Sequence, residues 1–185
     1  MSDELRIALR PRASYARLEG SPPYIPFYIL FVSVLIGVCA AWSATGRVTV
    51  GLVASLSVSW AFVPLLHVST AALLVASAPA RRVSASRAVS LLLMGHVPWS
   101  TWLLVASTMT ATGGYALYRE ALLLAIVPMV LTLRIVHAFV VEVLQAEGRG
   151  AIWGTLAHQA VTWAFAAIYI DRAVRLLPRL LGALS

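Results

Sequence analysis

YIPFYILFVSVLIGVCAAWSA, residues 24–44, carries no charged side chain from end to end. A helix that crosses the hydrocarbon needs about 20 mostly apolar residues, because each one rises about 1.5 Å across a core about 30 Å thick. This stretch meets that length, and four more of the same character follow it. They are 48–78, long enough to tilt; 87–112, closed by Gly113 and Gly114; 119–144; and 150–170. The sequence therefore predicts one all-α membrane domain over residues 1–185, a polytopic bundle of five transmembrane helices.

Composition points the same way. Of 185 residues, 61% are hydrophobic and only 11% charged, with a mean hydropathy of +0.88. Soluble domains run at roughly 45–50% apolar and about 25% charged. A water-soluble enzyme, a disordered tail and a disulfide scaffold are thereby excluded. The single cysteine, Cys39, excludes an intramolecular disulfide and a Cys-based metal cluster. No segment has the short apolar core and small-residue cleavage site of a signal peptide.

The basic residues are all arginine and leave a net charge of +7. They sit beside apolar segments, which indicates membrane placement and not nucleic acid. Arg6, Arg10, Arg12, Arg17, Arg81, Arg82, Arg87 and Arg149 fall on one side of the five-span arrangement. Arg47 and Arg119 fall on the other, together with Arg172, Arg175 and Arg179 of the C-terminal tail. Cytoplasmic loops are enriched in such residues, so the N-terminus is expected in the cytoplasm. An Arg-only, Ala/Val/Leu-rich chain suits a GC-rich genome, and the expected location is a bacterial inner membrane. Residues 11–19 open with Pro11 at a first helical position and are read as interfacial. Residues 171–184 space Val174, Leu177, Leu181 and Leu184 helically between arginines. They either lie flat at headgroup level or extend the fifth helix.

Intramembrane ionisable residues are costly and mark candidate sites. All four histidines, His67, His96, His137 and His158, fall inside expected spans. Counted from loops on the same side they lie 11, 9, 8 and 8 residues deep, so at about 1.5 Å per residue they share one layer. Three chemistries use such a layer. A b-type haem takes two imidazoles from different helices, as His67 with His96 or His137 with His158. A metal site or proton relay is the second, although no carboxylate shell accompanies it. In the third, each imidazole bonds a carbonyl, Ser or Thr of a neighbouring helix and holds the bundle together. Arg134 lies near the same level. Its acceptor is Glu142 or Glu120 of its own span, a lipid phosphate, or a carboxylate on a partner subunit. Pro64, Pro98 and Pro128 are expected to kink their spans.

No GxSxG, HExxH, CxxC, P-loop or GxGxxG is present, and no span pairs two carboxylates on one helical face. The loops are too short for a soluble catalytic domain, so no enzyme activity and no soluble substrate is expected. GHVPWSTW at 95–102 echoes AHQAVTWA at 157–164, which fits a fold built from repeated hairpins.

The segments LRPRASYARLEGSPPYIPFYIL (9–30), RRVSASRAVSLLLMGHVPWSTWLL and LRIVHAFVVEVLQAEGRGAIWGTLAHQAVTW together resemble the bacterial branch of the Yip (Ypt-interacting protein) family, small five-pass membrane proteins. The resemblance spans nearly the whole chain and implies an integral membrane adaptor without an assigned active site. The polar N-terminal domain of eukaryotic members has no counterpart here, and no functional residue transfers. The expectation is a non-catalytic adaptor or accessory subunit, with the lipid bilayer and other membrane subunits as partners and Arg134 as the interaction residue. A haem b electron-transfer or quinone-site subunit built on the His layer is the alternative.

Overall fold

The computed structural model describes residues 2–17 and 24–164, with backbone alone at 114–116, 118, 119 and 122. Among the described residues every regular element is helical. The short helices α1 (Asp3–Leu9) and α2 (Pro11–Tyr15) come first. The Ser2 hydroxyl accepts the Leu5 N–H to cap α1, Asp3 and Glu4 occupy its first turn, and Pro11 opens α2. α3 (Ile25–Thr45) matches the first expected span and stops at Gly46, whose φ of 64° is the left-handed C-terminal conformation that glycine adopts freely.

The second span is two helices, α4 (Val50–Ser59) and α5 (Phe62–Ser77), separated by a break at Trp60–Ala61. The third is likewise divided, into α6 (Ala85–Leu93), a 3₁₀ turn at Met94–His96, and α7 (Val97–Leu124). α8 (Ile126–Glu142) follows, and residues 148–164 form a further helix, α9. All three mid-span prolines lie in the first turn of a new helix: Pro64 in α5, Pro98 in α7 and Pro128 in α8. The first N–H groups of a helix have no intrahelical acceptor, so proline forfeits nothing there. The expected kinks are thus helix restarts.

α7 keeps helical backbone through Gly113, where the sequence places a loop. It is nevertheless not straight. The Trp102 indole donates to the Ala121 carbonyl at 2.9 Å, although nineteen residues of straight helix span about 28 Å. The chain therefore doubles back between them.

Three stretches among the described residues are long and apolar enough to cross a membrane: Ile25–Thr45, Val50–Ser77 and Ala85–Gly113. That is fewer than the five expected. The turn at Ala125 shortens the fourth to the 17 residues of α8. The end of the fifth, with the expected interfacial segment 171–184, lies outside the described residues, as does the end of segment 11–19.

Packing runs α3 against α4 and α7, α5 against α6, and α2 against α8. The first contact needs Gly37, because a Cβ there would meet Ser57 Oγ and lie 2.8 Å from the Val53 carbonyl. At the other end of the bundle, α1 and α2 dock inward. Ile7 and Tyr15 are buried, and the Tyr15 ring meets Phe139 edge-on at 5.7 Å. Gly95 leaves room for them, since a Cβ there would stand 2.6 Å from Ile135 Cγ2 and 3.4 Å from the Tyr15 hydroxyl. The Arg82 N–H donates to the Val143 carbonyl at 2.9 Å. The N-terminal helices, the α5–α6 loop and the α8–α9 loop thus gather at one end of the molecule.

Candidate functional site

The histidines come from four helices, and three of them converge. α3 presents Tyr28, which is 1% exposed, and its hydroxyl is hydrogen-bonded to His67 Nδ1 of α5 at 2.7 Å. The face of the same phenol region receives His96, whose ring lies edge-on at 5.2 Å. His96 Nδ1 bonds the Leu93 carbonyl at 2.8 Å, which orients the ring from within the 3₁₀ turn. Tyr24 and Phe31 close around His96 at centroid distances of 6.1 and 5.7 Å. His158 of α9 lies close enough to the Thr70 carbonyl of α5, one turn beyond His67, to interact with it electrostatically.

His137 makes a different contact. Its Nδ1 faces Thr155 Oγ1 at 3.4 Å, a long contact, and its ring borders a recess of about 380 Å³ with Arg12, Glu147 and Gly148. His137 thus faces α9 one turn before His158, while His67 and His96 meet through Tyr28. No group of three His, Cys, Asp or Glu among the described residues is placed to hold a metal ion.

Tyr28 is the residue that sequence reasoning missed. In a span read for hydrophobicity it counts as one more aromatic. Its signal is chemical: a phenol inside an apolar helix needs a partner for its O–H. Tyr15 is the contrary case, buried with no hydrogen-bond partner for its hydroxyl. Burial pushes its pKa well above the ordinary tyrosine value.

Arg134 belongs to neither group. On α8, Ile135, Val136, Ala138, Phe139 and Val140 are buried against the bundle. Arg134 looks the other way and is exposed. Val127 and Val130, seven and four residues before it on the same face, are each more than half exposed. Among the described residues no hydrogen bond or ion pair reaches its guanidinium. Neither Glu142 nor Glu120 of the expected fourth span takes it up. A charged group thus stands alone on an apolar helix face, which is where membrane helices pair with one another.

The described chain is, as a class, an all-helical protein with three helices fit to cross a membrane. No protein-family model, no curated protein and no solved structure matches it.

Proposed function

We propose that this chain is a non-catalytic adaptor or accessory subunit of a larger membrane complex, a Yip-like five-pass protein of a bacterial inner membrane with its N-terminus in the cytoplasm. In this reading α8 is the fourth span and α9 begins the fifth. At 17 residues α8 is at the lower limit for crossing a bilayer untilted. The placement of α1, α2 and the two Arg-bearing loops at one end supports the orientation, because it gathers the arginines that mark a cytoplasmic face.

The observation that carries the reading is Arg134, a cation on an exposed apolar face with no acceptor in the described chain. An arginine at the centre of a lipid-facing helix costs about 2.5–3.5 kcal/mol on insertion scales, so a chain that keeps one has a use for it. Extraction in mild detergent, followed by native mass measurement, tests the reading. A stoichiometric complex with other membrane proteins is the expected result, and the chain alone is the contrary one.

The second reading is a b-type haem held by His67 and His96. One feature favours it. Both imidazoles are anchored through Nδ1, which leaves Nε2 as the ligating nitrogen, the orientation that metal-bound histidines take. The haem would supply one-electron transfer. As built, however, both rings pack on Tyr28, which must leave before a macrocycle enters. A reduced-minus-oxidised visible spectrum decides: a sharp α-band lost in His67→Ala establishes haem, and a featureless spectrum retires it.

A further inference from the structure

Arg134 stands at the midpoint of α8, eight residues from Ile126 and eight from Glu142. At about 1.5 Å per residue each helix end is about 12 Å away. Five zigzag bonds of about 1.5 Å carry a guanidinium carbon only about 6 Å from its own backbone. Snorkelling therefore does not bring it to the headgroups without thinning the bilayer. The geometry points to a specific occupant of this face: a transmembrane helix of another protein, bearing an Asp or Glu near its middle, seated along Val127, Val130 and Arg134. This rests on reading α8 as a span.

The partner's chemistry follows from charge and depth. A hydroxyl or carbonyl satisfies a guanidinium N–H but leaves the charge uncompensated in hydrocarbon. A carboxylate does both, and a forked pair gives two parallel bonds. A second copy of this chain does not supply it. Its acids are Asp3, Glu4, Glu19, Glu120, Glu142, Glu147 and Asp171, all at or beyond the ends of the spans. Because Arg134 is central, two copies joined through this face bring arginine against arginine, whether the α8 helices run parallel or antiparallel. Like charges at such range in low dielectric repel strongly.

The test uses the full chain in phosphatidylcholine vesicles with a dansyl-labelled Leu/Ala transmembrane peptide carrying one central Glu. Energy transfer from the protein's six tryptophans reports association. Interhelical polar contacts in membranes are worth about 1–2 kcal/mol in model peptides, so the Glu peptide is expected to associate about tenfold more tightly than an all-apolar one. Arg134→Leu should erase that preference and Arg134→Lys keep part of it. Equal transfer from the two peptides, a Glu preference that survives Arg134→Leu, or Arg134-dependent pairing of the protein with itself would each overturn the inference. The span reading is checked separately in a Cys39→Ser background. Ala125→Cys and Gln145→Cys should label with an impermeant maleimide from opposite sides of the membrane. Labelling from one side defeats the span; opposite labelling without a Glu preference defeats only the carboxylate partner.

Discussion

Tyr28 joins two histidines from different parts of the chain with one side chain. Removing its hydroxyl in Tyr28→Phe leaves His67 Nδ1 without its partner while keeping the ring that packs on His96. Hydrogen bonds between membrane helices average roughly 0.6 kcal/mol and reach about 2, so a loss of about 1 kcal/mol is expected on unfolding in detergent. His67→Ala should cost more, and the double variant should cost less than the sum, since both remove one bond. Full additivity would contradict the contact. At Tyr15 the expectation reverses. Its buried hydroxyl has no partner, so Tyr15→Phe should be neutral or stabilising by up to about 1 kcal/mol, whereas Tyr15→Ala should cost about 3. Burial raises the Tyr15 pKa in the folded state above its unfolded value near 10. Its contribution is therefore complete below that value and lost as pH rises toward the folded pKa. Alkaline unfolding should accordingly move to higher pH in Tyr15→Phe, which circular dichroism against pH measures. The histidines and Arg134 are legible in the sequence because an ionisable group inside an apolar run is conspicuous. Tyr28 is not, because its function depends on which helix lies opposite.

The elements record a contest between hydrophobic length and local backbone chemistry. Five apolar stretches are plain in the sequence, and their positions agree with α3, α4 with α5, α6 with the first part of α7, α8, and α9. What the apolar pattern lacks is the internal division. Pro64, Pro98 and Pro128 each end one helix and open another, because a proline is tolerated in a first turn and not in an interior. The break at Ala125 brings α8 to 17 residues, and three stretches of full spanning length, not five, stand among the described residues. The α3–α4 contact makes a sharp prediction. Gly37→Ala drives a Cβ into the Ser57 and Val53 backbone, which no side-chain rotation relieves, and should cost about 1–3 kcal/mol. Gly51→Ala on α4, with open space around it, is the matched control and should change little. Equal effects on thermal stability in detergent would mean that α3 and α4 do not approach as described.

At the scale of the whole molecule, the bundle engages histidines of its apolar helices and leaves Arg134 facing outward. His67 is engaged across helices by Tyr28 and His96 within its own turn by the Leu93 carbonyl, and bonds of the first kind hold helices together where no hydrophobic force separates protein from lipid. The N-terminal helices close one end by burying Ile7 and Tyr15 on the 3₁₀ turn and α8. Arg134 alone among these groups faces outward from an apolar surface. Depth and charge were readable from sequence for all of them; direction was not, because helix rotation is set by packing between elements. Assembly with other membrane proteins is what that outward charge is expected to provide. The most direct measurement is the native mass of wild-type and Arg134→Leu chains, each extracted in mild detergent from the membranes of the cells that make it. The account predicts that the wild type runs well above its own 19.9 kDa with identifiable membrane subunits, and that Arg134→Leu sheds them while remaining folded. Identical masses for the two, whether alone or in complex, would contradict it.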